Sequence, residues 1–459
     1  MSIAEHEPQR QPSDFALTRD AATWLAGLTT DKISPRARLW ARHALLDWIG
    51  VTLAARDEPL VAILCEELAG ESAPCTVIGQ GKRANLLDAA LINGSASHAL
   101  DYDDVGRAVH GHPSVPVFPA LLALAEVMDV SGRALLDAFV AGVEVESAIG
   151  DMTVDSHYAQ GFHATGTLGA IGAAAAAAKL LGLDAEATAR ALSIAASQSA
   201  GLKCNFGTMV KPFHAGKAAA NGLLAARLAA RGFTASHNGL EGPQGFADVL
   251  SPRFVSGPIR PNAEAPFHVE KILFKFHASC YSTHATIEAL KDLRSKHDVG
   301  LDDLDNIAIF VNTRQAGNCS IPDPETGLQV KFSLRQLAVM ALDGRDTSAL
   351  ETFSAETAND QRYVAARQNV SIDYNAARDR MTARIALSLK DGRTLVGDAD
   401  TGKPAEDLDL QWTRLSEKFT SISQSALGSA DRCREVITTV SDFETATPAD
   451  VKSLVQSIG

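Results

Sequence analysis

Cysteine is scarce in this sequence, and none of its six (Cys65, Cys75, Cys204, Cys280, Cys319, Cys433) belongs to a CxxC pair. Neither a zinc knuckle nor a Cys-held iron–sulfur cluster is signalled, and the scatter suits a reducing compartment. Aromatic residues make up only 6%, while 34 glycines and many alanines fill the apolar quota, which predicts closely packed helices rather than a β-rich core. Basic residues are in deficit, 42 against 55 acidic, and the formal charge of −13 repels nucleic acid and anionic lipid. The polar stretch Met1–Ser13 lacks the apolar run of a signal peptide, so a cytoplasmic protein is expected. A membrane span is lacking too. Ala164 to Leu183 is almost wholly apolar, but it is Ala/Gly-rich, carries Lys179 and has no aromatic anchors, so it reads as a buried helix.

What is present is a long, mostly helical pattern. The chain's 459 residues predict two or three domains, and 46% hydrophobic content provides a large core. Ser34-Pro35 supplies an N-cap followed by proline at the first helical position, and Leu39, Leu46 and Leu53 then share one face. Further helices are predicted over 86–100, 119–128, 132–149, 165–181, 184–200 and 215–231, with Gly182 and Asp184 marking a stop and a restart. The texture changes near residue 270. Ile307, Ile309 and Val311 alternate as in a strand, and Ile385, Leu387 and Leu389 run into Asp391-Gly392, a type I′ hairpin signal. The fold class expected is mainly α: a large all-helical domain from 1–269 and 398–459, with a smaller inserted α+β domain over 270–397.

Four segments concentrate chemistry-bearing residues. His98-Ala-Leu-Asp101-Tyr-Asp103-Asp104 is followed by His110-Gly-His112-Pro-Ser, which reads as polar groups at a helix end or as a solvated acidic turn. A metal needs more than the His110-x-His112 pair, and no third ligand spacing supports one. Gly161-Phe-His163-Ala-Thr165-Gly opens a helix whose N-terminus favours an anion, although no preceding strand supports a nucleotide loop. In the third segment Lys211 lies in an apolar, Gly-bounded stretch before His214, with no acid beside it in sequence. That suits a carboxylate-binding or pKa-lowered lysine. The fourth, Lys275 to His284, pairs Cys280 with His284 but lacks an acyl-transfer motif.

In combination these segments resemble the MmgE/PrpD family, which includes 2-methylcitrate dehydratases, cis-aconitate decarboxylases and an iminodisuccinate epimerase. The motifs are HALDYDD with GHPS, GFHATGTLGA, FGTMVKPFHAGKAAANG, and SCYSTH followed by GLQVKFS at 327–333. The likeness runs from about Asp20 to Ser457. It implies a homodimer, a helical domain built from both chain ends, a lid from the middle, and catalysis on a small di- or tricarboxylate without metal or organic cofactor. Asp101, His112, His163 and Lys211 match family active-site positions, and Cys280 and His284 lie in the motif that supplies the lid-side group. The decarboxylases carry Thr where Val105 stands and His in place of Cys280. The SCY motif and its spacing are more similar to the branch containing the epimerase.

The chemistry so implied makes or breaks a bond beside a carboxylate, which needs a base together with cations that absorb enolate charge. His112 and His163 are expected as acid/base groups, Asp101 as orienter of an imidazole or second base, and Lys211 as the charge stabiliser. Lys331, Thr165, His214 and Tyr281 are expected to contact substrate, with Tyr281 and His284 able to donate to a leaving hydroxyl. The leading expectation is a cofactor-independent hydro-lyase. An epimerase of a substituted succinate and a non-catalytic carboxylate sensor are the alternatives. The expected partner is the polycarboxylate itself, beside a second copy of the chain, with no nucleic acid and no membrane.

Overall fold

The computed structural model describes residues 15–459, so the polar stretch Met1–Ser13 lies outside the described residues. Local capping sets the first elements. After α1 (Leu17–Gly27), Ser34 Oγ accepts from Ala37 N at 3.0 Å and Pro35 occupies the first turn of α2 (Pro35–Ala54). Helix α3 (Pro59–Leu68) leads to a small antiparallel pair, β1 (Cys75–Val77) and β2 (Lys82–Ala84). There follow α4 (Leu86–Ala99), α5 (Ser114–Val127), α6 (Gly132–Met152), α7 (Ala164–Leu180), α8 (Ala185–Ser197) and α9 (Val210–Ala230). The run 164–183 is thus a buried helix and its exit. No described helix is long and apolar enough to cross a membrane.

Two helices begin earlier than predicted. Helix α5 starts at Ser114 rather than Pro119, because Pro116 lies in the first turn, where backbone N–H groups have no intrahelical partner to lose. Helix α9 starts at Val210 rather than Ala215, with Pro212 tolerated for the same reason, so Lys211 rides on its first turn.

Beyond residue 280 come α10 (His284–His297), β3 (Leu304–Val311), α11 (Leu334–Asp343), β4 (Val370–Tyr374), β5 (Thr382–Leu389) and β6 (Thr394–Asp400). The sheet order is β4-β3-β5-β6. The Asp391-Gly392 hairpin pairs β5 with β6, setting Leu387 opposite Leu395, and β3 runs antiparallel to β5 with Ile309 opposite Ile385. Strand β4 joins β3 in parallel, a pairing across some sixty residues that alternation alone does not reveal. These strands share a core with Ile287 and Leu290 of α10 and Leu337 and Met340 of α11. The chain ends in α12 (Leu408–Leu427), α13 (Ala430–Ser441) and α14 (Pro448–Ser457). Phe419 and Val455 from this tail enter the same core as Leu17, Trp40, Phe118 and Phe139, so the C-terminal helices pack back on the N-terminal ones.

Small residues bring two site-bearing helices together. A Cβ placed on Gly94 of α4 would stand 2.8 Å from Gly216 Cα of α9, and one on Gly216 would stand 2.0 Å from Leu91 O. Only paired glycines allow this approach, which brings the C-terminal end of α4 close to the first turns of α9.

Candidate active site

Where α4 ends, Asp101 takes a left-handed conformation (φ 53°), which Asp tolerates better than most residues, and turns the chain into the loop carrying Asp103, Asp104, His110 and His112. His163 precedes α7, Lys211 opens α9, and Lys275 and Cys280 arrive from the segment ahead of α10. Together they border a cavity of about 860 Å³, with Asp101, His112, His163, Lys211, Lys275 and Cys280 in its wall.

Asp101 is the centre of the charge pattern. Its Oδ1 accepts from Lys211 Nζ at 2.7 Å and lies 3.3 Å from Lys275 Nζ and 3.8 Å from His112 Nε2. Burial pushes its carboxyl upward, but Lys211, Lys275 and His112 outweigh burial and hold it well below the usual range. Burial likewise disfavours the Lys211 ammonium, yet Asp101 raises its pKa overall, so Lys211 stays charged. Of the two readings of Lys211, carboxylate-binding or pKa-lowered, the second is corrected: its acid is distant in sequence and adjacent in space.

On the other side of His112, Nδ1 faces Asp103 Oδ2 at 2.9 Å, and the same carboxylate accepts from His98 Nδ1 at 2.9 Å. Asp103 rather than Asp101 thus stands at the orienting nitrogen of His112. Burial lowers the His98 pKa to about 4 despite Asp103. It also lowers His163 well below the ordinary imidazole range, with His98, Lys211, His112 and His214 adding to the effect. His163 Nδ1 lies 3.0 Å from His214 Nδ1, and burial lowers His214 as well. Two neutral rings sharing that contact must have one donor and one acceptor nitrogen. His163 also stacks on His98 and meets the edge of Phe206.

His98, Asp101, Asp103 and His112 place ligand-type atoms within 4.8 Å of one another. Two ammonium groups sit on the Asp101 carboxylate and two imidazoles beside Asp103, while His98 Nε2 and His112 Nδ1 have no hydrogen-bond partner. The His110-x-His112 pair is split, since His110 Nε2 turns away to Asp155 at 2.7 Å.

Other predicted contacts fall outside the cavity wall. Lys331 is half-buried and not among the residues that line it, its Nζ donating instead to Leu100 O at 3.4 Å. Thr165 Oγ1 accepts from His112 N at 3.1 Å and fixes the loop, and His214 touches His163 rather than the cavity. His284 is buried between His277 and Tyr281 and does not line the cavity. Tyr281 does line it, but its hydroxyl donates to Thr401 O at 2.6 Å, so that proton is committed. The Cys280 thiol faces the cavity, and burial raises its pKa, keeping it protonated.

Sequence reasoning passed over His98, Asp103 and Lys275, which were visible in the quoted motifs but not selected, and also Tyr158, Arg314 and Arg380, which also line the cavity. No local pattern marks the two arginines, since their relevance depends on the chain crossing back over the cavity.

The family model of the MmgE/PrpD N-terminal domain matches residues 19–256, and that of the MmgE/PrpD C-terminal domain matches residues 277–442. The chain is similar to a cis-aconitate decarboxylase of Homo sapiens, 28% identical over 450 residues that cover 94% of this chain and 92% of that one. It is also 28% identical to cis-aconitate decarboxylases of Mus musculus, over 78% of this chain and 75% of that one, and of Aspergillus terreus, over 71% and 72%.

Proposed function

The chain belongs to the MmgE/PrpD family, and we propose that it is a lyase that breaks a bond beside a carboxylate of a small di- or tricarboxylic acid by proton transfer. One observation carries the reading: a neutral imidazole, His163, and a fixed ammonium, Lys211, face a single cavity. A carbon acid next to a carboxylate is too weak for an unaided base at neutral pH. A base supported by a cation where enolate charge develops overcomes that barrier. In this reading His163 is the base, handing its Nδ1–H to His214 so that Nε2 keeps its lone pair. Lys211, anchored by Asp101, stabilises the enolate. His112, oriented by Asp103, supplies the proton to the departing group. Asp101, itself held by Lys275, fixes the position of Lys211, and Cys280 lines the cavity as a neutral thiol.

Loss of water is the first form of this chemistry. Loss of CO2 passes through the same electron-rich carbon, and the names of the relatives favour it. An epimerase would instead need a second group that returns a proton to the far face of the carbon, a role that suits a protonated thiol such as Cys280. No step in this scheme calls on a metal or organic cofactor. The surface apolar residues Leu202, Phe206, Met209 and Val210, grouped on one loop beside the cavity, suit the proposed homodimer.

A panel of di- and tricarboxylic acids, including cis-aconitate and 2-methylcitrate, followed by alkene absorbance and CO2 release, tests the reading. Turnover of at least one acid, lost on His163→Gln, supports it. Carboxylate binding without turnover of any acid supports the sensor instead.

A further inference from the structure

The cavity has a second cationic end that the scheme above does not use. Resting on the proposal that the cavity binds a polycarboxylate, we infer that Arg314, with Arg380 beside it, forms a second carboxylate subsite that reads an acid group remote from the reacting carbon.

Both arginines line the cavity wall. They come from two turns that the protein stitches together: Asn312 Nδ2 donates to Arg378 O at 2.6 Å, and Gln315 Nε2 donates to Arg380 O at 3.0 Å. These bonds hold the two turns together, and both guanidinium groups reach the same carboxylate. Their shared counter-charge is Asp155, 2.9 Å from Arg380 and only 3.7 Å from Arg314. His110 Nε2 takes the other oxygen of the same carboxylate at 2.7 Å. One carboxylate thus faces two guanidinium groups and an imidazole. Arg314, its side chain 46% exposed, has no closer anionic partner among the described residues. Partial burial, and then the neighbouring Arg380 charge, make that position less comfortable for a cation, which a bound anion would relieve.

One further observation points to a ligand. Gln315 is 2% exposed and lines the cavity, yet its Oε1 has no hydrogen-bond partner while its Nε2 is committed to Arg380 O. An acceptor left open beside two guanidinium groups matches a carboxylate that carries a hydroxyl or N–H donor nearby. Arginine's planar fork suits such bidentate recognition better than lysine's point charge.

Calorimetric titration with glutarate and butyrate, which differ in carrying or lacking a second carboxylate remote from the first, tests the assignment. The wild-type protein is expected to bind glutarate at least about tenfold more tightly, the scale of one charge-assisted contact. Arg314→Ala should erase that preference while leaving butyrate affinity within about twofold, and Arg314→Lys should restore only part of it. A preference that survives Arg314→Ala unchanged overturns the subsite. Lys211→Ala separates the two readings: it should weaken both acids equally. If Lys211→Ala leaves both affinities intact while Arg314→Ala abolishes the preference, the subsite stands and the Lys211 anchor of the proposed function fails. If neither acid binds the wild-type protein, both fall.

Discussion

Replacing Asp104 with Asn should flatten the pH dependence of stability, because the electrostatics assigned to the cavity arise from burial that also acts on this residue. Asp104 is 1% exposed, its Oδ1 accepting from Ser114 N at 3.3 Å and its Oδ2 from Ser114 Oγ. Burial, opposed by these bonds and reinforced by Asp47 and Asp103, pushes its pKa up to about 8 from 3.8. The folded carboxyl therefore keeps a proton that the unfolded chain has released. Its stabilising contribution is complete below pH 3.8 and is lost as pH rises toward about 8. The slope in that window is about 1.4 kcal/mol per pH unit, so roughly 2.7 kcal/mol disappears over about two units near neutrality. Asn accepts from Ser114 N, donates to Ser114 Oγ and does not titrate. Melting curves of the two proteins in matched buffers between about pH 5.5 and about pH 7.5 should therefore diverge with rising pH in favour of Asp104→Asn, by several degrees. A constant offset would show that Asp104 is ionised in the fold and would undercut the same burial argument for a neutral His163.

Three further outcomes follow from the site. Lys211→Ala should lower kcat/KM by about a hundredfold or more on whichever acid the protein turns over, the scale of removing one transition-state charge contact; unchanged kinetics would remove Lys211 from the chemistry. His163→Gln should cut kcat by about 10²- to 10⁴-fold with circular dichroism unaltered, and wild-type rates in that folded variant would reduce His163 to a structural residue at the start of α7. Dialysis against a strong chelator should leave activity intact. Activity lost and then restored by a divalent ion would instead place a metal among His98, Asp101, Asp103 and His112.

The sequence disclosed most where physics is local. Ser34-Pro35 announced α2, Asp184 announced α8 through its bond to Ala187 N, and Asp391-Gly392 announced the β5–β6 hairpin. Prolines were harder to read, because their cost depends on which turn they occupy; Pro116 and Pro212 fall where no helical hydrogen bond is lost. The site was legible as four motifs but not as a circuit. Nothing beside Lys211 in sequence indicated that Asp101 would hold its charge, nor that Asp103 rather than Asp101 would face His112 Nδ1. Lys331 and His284 lay in the right motifs, yet neither lines the cavity: Lys331 donates to Leu100 O and His284 is buried. The paired Arg314 and Arg380 depend on two turns meeting in space, which residue spacing does not encode.

The central claim is proton transfer beside a carboxylate with loss of a neighbouring group. Proton NMR of the purified protein with a panel of polycarboxylic acids in deuterated buffer tests it most directly. The account predicts consumption of one acid, either with loss of its α-proton and of water to give an alkene or with release of CO2 and solvent deuterium at the carbon that carried it, and all turnover abolished by His163→Gln. Deuterium entering the carbon beside the carboxylate with inversion, and with neither alkene nor CO2 formed, would contradict it and assign the site to an epimerase.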